Sequence, residues 1–227
     1  MNDISKVWVI IPAFDEARVI AKTLKDVQAY FRNIVVVDDC SFDETGKLAL
    51  HAGAHVCRHS VNLGQGAALY TGIQYALLHQ AEIIVTFDAD GQHSARDAAA
   101  MVAVLESKHC DVVLGSRFLG KTEGLSRGKR LLLKVATGFT RARTSLAITD
   151  THNGLRVLNR RAAEQIKIRQ NRMAHASEIL DQIAKLGLSY VEAPCTVTYS
   201  DYSLAKGQRM VGALTILADL FMRRIYK

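Results

Sequence analysis

Ile83-Ile84-Val85-Thr86-Phe87-Asp88-Ala89-Asp90-Gly91-Gln92-His93 is the stretch on which the fold turns. Five mostly apolar residues, three of them β-branched and apolar, run straight into two carboxylates and a glycine. A strand buried on both faces has this unbroken apolar character, whereas a half-solvated strand alternates. The carboxylates then fall at the strand's carboxyl end. Asp88 and Asp90 stand two residues apart, and Gly91 permits a tight turn, so their oxygens can be aimed at one divalent cation. Mg²⁺ and Mn²⁺ take hard oxygen ligands of this kind and share their shell with substrate phosphates. Gln92 can add an amide oxygen.

The same pattern recurs on either side. Residues 7–11, 34–37, 54–57 and 111–114 read as further short buried strands. Helical stretches lie between them, over residues 16–30, 43–52, 66–78 and 95–107, the last with Ser94 as its cap and Asp97 three residues on. Strand–helix alternation implies right-handed crossovers and a mostly parallel sheet flanked by helices. Ligands on such sheets sit beyond the carboxyl ends of the strands. The strand at 34–37 also ends on a carboxylate pair, Asp38-Asp39-Cys40-Ser41. One acidic pair in a loop is more often a helix cap. Two pairs, on two strands of one sheet, point instead to a metal-bound nucleotide.

The later half is less regular. It offers a basic amphipathic helix at 127–143, a strand at 155–158, helices at 161–166 and 177–186, and a strand with one solvated face at 190–198. A basic-ended apolar helix at 210–226 follows. With 227 residues, two prolines (Pro12 and Pro194) and no repeat or linker, the chain reads as one domain over 1–227. Its N-terminus lacks the pattern of a secretory signal. Cys40, Cys57, Cys110 and Cys195 have no paired spacing, which suits reduced thiols in a cytosol rather than a zinc or disulfide framework. The net charge is +7, and residues 117–143 carry that same excess: eight basic side chains face the single acid Glu123. Such a field attracts phosphates, whether on a nucleotide, a lipid or a membrane surface, unless it is only a solvated basic helix. No run reaches the ~18 apolar residues needed to span a bilayer. The apolar 210–222 segment, with Arg209 before it and Arg223 and Arg224 after it, suits a membrane interface or a packed terminal helix equally.

At this point the chain resembles a known family. Ile11-Pro12-Ala13-Phe14-Asp15-Glu16, the segment from Val37-Asp38-Asp39 to Thr45, Asn62-Leu63-Gly64-Gln65-Gly66-Ala67-Ala68, Asp88 to His93, Gly115-Ser116-Arg117 and Asp150-Thr151-His152-Asn153-Gly154-Leu155-Arg156 follow one another as in family 2 glycosyltransferases of the GT-A fold. The branch most resembled contains the dolichyl- and polyprenyl-phosphate sugar synthases. The resemblance implies a nucleotide-sugar half at about 1–118 and an acceptor half at about 119–227. It places Pro12, Ala13, Glu16, Asp39, Gln65, Asp88 and Ala89 against a nucleotide-diphosphate sugar, with Asp39 on the nucleobase. Asp88, Asp90 and Gln92 would hold Mg²⁺ or Mn²⁺ on the diphosphate, where the metal acts as a Lewis acid toward the departing nucleotide. Gln65 stands where the family often has a lysine. Near the end, Ser203 and Lys206 match a family pattern whose arginine has no counterpart here.

Two acceptors remain open. A polyprenyl phosphate is already a nucleophile near neutral pH. A saccharide hydroxyl, as in surface-polysaccharide assembly, needs a base such as Asp150 or Glu178. Arg117 and Arg130 suit the phosphate, because guanidinium forks match its oxygens. Inverting transfer to polyprenyl phosphate by a protein lying peripherally at the inner face of the cell membrane, on the bilayer itself or on a small membrane partner, is therefore expected. A nucleic-acid partner is not: the chain has neither an aromatic RNA platform nor a helix-turn-helix, and nucleic-acid binding leaves the carboxylate loops unexplained. His93 and His152 lie in the site loops and can touch donor or acceptor.

Overall fold

The computed structural model describes residues 6–124 and 127–199. A seven-stranded sheet forms its centre. The strands are β1 (Val7–Ala13), β2 (Asn33–Asp38), β3 (His55–Arg58), β4 (Ile83–Thr86), β5 (Val112–Ser116), β7 (Arg156–Asn159) and β8 (Tyr190–Pro194). Their spatial order is β3-β2-β1-β4-β7-β5-β8. All neighbours run parallel except at β7, which lies antiparallel between β4 and β5. A small second sheet pairs β6 (Thr122–Glu123) with β9 (Val197–Thr198). Helices α1 (Ile20–Gln28), α2 (Thr45–His51) and α4 (Ala95–Lys108) cover one face of the main sheet, and α3 (Gln65–Leu78), α6 (Arg160–Gln165) and α7 (His175–Lys185) the other. Helix α5 (Arg127–Thr144) packs on α7.

Strand β1 shows why the sequence reads as continuous apolar runs. Val7, Val9 and Ile11 point into one core layer while Trp8 and Ile10 point into the other. Successive side chains alternate faces, and both faces are covered. From β1 the chain steps outward to β2 and β3, then returns to place β4 on the other side of β1. That reversal opens a crevice above β1 and β4, the usual ligand position in open α/β sheets.

Several sequence expectations shift. The first helix begins at Ile20 rather than at 16; before it, the amides of Asp15, Glu16 and Ala17 donate to Ser41 Oγ, Thr45 Oγ1 and Asp43 Oδ2 of the β2–α2 loop. Ser94 holds the N-cap position of α4 without a side-chain cap bond; Asp26 Oδ2 from α1 takes the Ala95 amide at 2.9 Å instead. Asp97 accepts from the Thr196 amide at 2.6 Å. The strand expected at 190–198 is split into β8 and β9 at Pro194, which has no amide to continue a ladder. The helix expected at 210–226 lies outside the described residues, as do Ser203 and Lys206.

Candidate active site

The loops above the carboxyl ends of β1, β2, β4, β5 and the amino end of β7 enclose a cavity of about 420 Å³. Pro12, Ala13, Phe14, Glu16 and Asp39 line one side, Gln65, Asp88, Ala89, Asp90 and Gln92 the middle, and Arg117, His152, Asn153, Gly154, Arg156 and His175 the far side. Leu132 and Leu133 of α5 and Met173 also line it.

On the first side Asp39 is buried and already engaged. Its Oδ1 meets His59 Nδ1 at 2.7 Å and the Leu63 amide at 2.9 Å, and its Oδ2 takes the Gly64 amide at 2.6 Å. The carboxylate thereby pins the loop that opens α3 and leaves Oδ2 the better placed of its oxygens for a further donor.

The two central carboxylates differ. Asp88 accepts from Gln65 Nε2 at 3.0 Å through Oδ1 and meets His93 Nε2 at 3.1 Å through Oδ2. Burial works to raise its pKa, but the His93 bond and the charges of His93 and Arg156 outweigh burial and hold it below the ordinary carboxylate range. Asp90 is pushed up to about 6, first by burial and then by the negative charge of Asp88. Gly91 adopts φ +73°, the left-handed turn that folds the Gln92 amide and side chain back onto Asp90. Among the described residues no three His, Cys, Asp or Glu side chains converge on one metal position. The protein thus offers two carboxylates, one of them destabilised by its neighbour's charge. That donor set fits a hard divalent cation whose remaining shell comes from phosphate oxygens and water.

The far side is built on a buried ion pair. Arg117, at the end of β5, donates from Nε to Asp150 Oδ2 at 2.6 Å, from Nη1 to the Tyr199 hydroxyl and from Nη2 to the His152 carbonyl. Asp150 also accepts the Arg117 amide. Glu178 lies outside this cavity and holds the amides of Arg169 and Gln170 at 2.9 and 2.8 Å. Arg130 is exposed on α5 and does not line the cavity. Asp150 does not line the cavity either; the other sequence-proposed site residues come together in it.

Sequence reasoning gave no role to Arg156 and none to His175. Arg156 is 2% exposed in mid-sheet, and burial brings its pKa down to about 10 against the pull of Asp88 and Asp150. His175 is lowered to about 4, by burial first and then by the charge of Arg156; His152 is lowered for the same leading cause. The available signal was a charged residue heading an otherwise apolar strand, Arg156-Val157-Leu158.

The model of the family described as glycosyl transferase family 2 matches residues 8–167, which hold every element from β1 to β7. The chain belongs to this family. An uncharacterized protein of Methanocaldococcus jannaschii is 36% identical over all of this chain and 96% of its own length. A UDP-N-acetylglucosamine–dolichyl-phosphate N-acetylglucosaminyltransferase of Methanococcus voltae is 29% identical, over 97% of each chain. Among solved structures, a glucosyl-3-phosphoglycerate synthase from Mycobacterium tuberculosis in complex with Mn²⁺, UDP and glucosyl-3-phosphoglycerate superposes with a TM-score of 0.72 at 16% identity, over 96% of this chain and 80% of its own. The shared fold is that of GT-A glycosyltransferases, with a mostly parallel sheet flanked by helices.

Proposed function

We propose that this family 2 enzyme moves a sugar from a nucleoside-diphosphate sugar to a polyprenyl phosphate, with inversion and with Mg²⁺ or Mn²⁺. The relative that acts on dolichyl phosphate supports the acceptor class. One observation carries the choice between acceptors. Among the described residues, the carboxylates lining the cavity are Glu16, Asp39, Asp88 and Asp90, all toward the nucleotide and metal side. Of the two candidate bases, Asp150 is locked onto Arg117, and Glu178 lies outside. His152 and His175 are weakened as bases by burial. A sugar hydroxyl needs a base within reach, whereas a phosphate attacks without one.

In this scheme Pro12, Ala13, Glu16 and Asp39 hold the nucleoside, and Gln65 and His93 fix the Asp88 carboxylate. Asp88, Asp90 and Gln92 hold the metal, which supplies Lewis-acid neutralisation of the diphosphate. Arg117, its charge paired with Asp150, stiffens the acceptor-side wall through Tyr199 and the His152 carbonyl, and Arg130 meets the acceptor at the rim. Leu131 and Val135, four residues apart and exposed on α5 beside Arg130 and Lys134, suit an interface with an anionic membrane. Among the described residues no helix is long and apolar enough to cross a membrane.

The test is a donor panel with Mn²⁺ or Mg²⁺, scored for transfer to polyprenyl phosphate and to free glycans. Metal-dependent transfer to the lipid phosphate is expected. Transfer only to a glycan hydroxyl, or full turnover in excess EDTA, overturns the scheme.

A further inference from the structure

Five buried side-chain nitrogen or oxygen atoms among the described residues have no hydrogen-bond partner. Three of them, His93 Nδ1, His152 Nδ1 and Arg156 Nη1, belong to residues lining the one cavity described above. A buried polar atom left unpaired costs about 1–3 kcal/mol, so three around one space call for a ligand that pairs them.

The chemistry of that ligand follows from charge and position. The Arg156 guanidinium lies in the fields of two carboxylates, Asp88 and Asp150, but burial outweighs both, and its Nη1 has no hydrogen-bond partner. A hydroxyl oxygen can accept from that Nη1. Burial and the charges of Arg117 and Arg156 favour neutral His152, and a neutral imidazole presents a donor and an acceptor, the complement of a hydroxyl. Position agrees. The nucleoside side lies over β2 and β1, the carboxylates over β4, and His152 and Arg156 lead into and head β7, the next strand in the sheet. Arg156 is the register partner of Thr86 on β4, two residues before Asp88. Strands are spaced about 4.8 Å apart, so an extended nucleoside-diphosphate sugar laid across β2, β1 and β4 puts its sugar over β7.

We propose that Arg156 and His152, with His93 at the edge of the carboxylate loop, form the surface that reads the hydroxyls of the transferred sugar and so decides which sugar this enzyme carries. This deepens the transferase scheme and rests on it. Arg117, with three of its N–H groups on Asp150, Tyr199 and the His152 carbonyl, stiffens the loop that carries His152.

The test separates the sugar from the nucleotide. Affinities of UDP and GDP, and of their glucose, galactose, mannose and N-acetylglucosamine conjugates, are measured calorimetrically with Mn²⁺ for wild type, Arg156→Lys and His152→Phe. Arg156→Lys keeps the charge beside Asp88 and loses the fork; His152→Phe keeps the ring and loses Nδ1. Both variants should bind the nucleoside diphosphate as wild type does. Their preference for the best sugar over the others should collapse about tenfold or more, as when a site built around a hydroxyl loses its partner. Wild type offered single-deoxy versions of its preferred donor should show the same loss at one or two positions, a result independent of variant folding. An unchanged preference in both variants together with indifference to every deoxy donor overturns the proposal. So does an effect confined to the acceptor KM, which would move these residues to the acceptor. Failure of wild type to bind any nucleoside diphosphate or sugar conjugate would overturn the transferase scheme itself, and this surface with it.

Discussion

Gly154 tests the site through a residue that needs to touch neither metal nor sugar. A Cβ placed there would stand 2.2 Å from Asp88 Oδ2 and 2.6 Å from its Cγ and Oδ1. Ordinary contact begins near 3.4 Å, so Gly154→Ala forces the carboxylate to move by more than 1 Å. It cannot do so freely, because Gln65 and His93 hold its two oxygens. Hydrogen bonds to a charged group are worth about 1.5–3 kcal/mol each, so releasing both costs about 3–6 kcal/mol unless β7 shifts instead. A displacement of about 1 Å in reacting geometry lowers turnover on the order of a hundredfold. The expected outcome is loss of metal-dependent donor binding by calorimetry and a kcat/KM reduced on that scale. Gly128→Ala is the control: nothing lies within 4 Å of its Cβ position on α5, and removing a helical glycine there should raise stability by about 0.5–1 kcal/mol. Wild-type donor affinity and turnover in Gly154→Ala would falsify the placement of Asp88 at the centre of the site.

Other outcomes follow from the same geometry. Asp90, raised to about 6 in the fold, opposes folding once it must ionise. Metal-free Asp90→Asn should therefore melt above wild type, by up to about 3 kcal/mol for a shift of some two units. That gain should grow as pH rises from about 4 to about 6 and stay level above, while turnover is abolished; melting curves that coincide at pH 8 refute the coupling. His175, lowered to about 4, has the opposite signature: its contribution is complete above the unfolded value near 6.5 and is lost as pH falls toward 4. Wild type should lose up to about 3 kcal/mol more than His175→Phe across that window by chemical denaturation, and parallel curves exclude the effect. Glu178→Gln should keep most activity, and Arg130→Glu should raise the acceptor KM while sparing donor affinity; the reverse pattern in steady-state kinetics points to a hydroxyl acceptor. The protein should float with anionic liposomes and release at high salt, and indifference to such liposomes argues against the α5 surface as a membrane contact.

What the sequence disclosed was local, and what it concealed was made by distant pairing. Strands β1, β2, β4 and β5 announce themselves because each is apolar on both faces. Asp88 and Asp90 are legible because both come from one strand end. The ion pair of Arg117 with Asp150 joins residues 33 apart, and only the folded chain shows that Asp150 is occupied rather than available as a base. Arg156 enters the site because a strand from the later half inserts antiparallel beside β4, which no local periodicity encodes. Likewise Ser94 has the composition of a cap, but Asp26 does the capping from another helix.

That inserted strand also has a history during synthesis. Until residues 156–159 emerge, β4 and β5 have no common neighbour, and each presents an open row of amides and carbonyls to solvent. Two such edges on a chain that has already made β1, β2 and β3 are templates for pairing with another nascent chain. The ribosome must add some forty residues beyond β5 before the seam can close, and during that interval the half-made sheet is most exposed to misassembly.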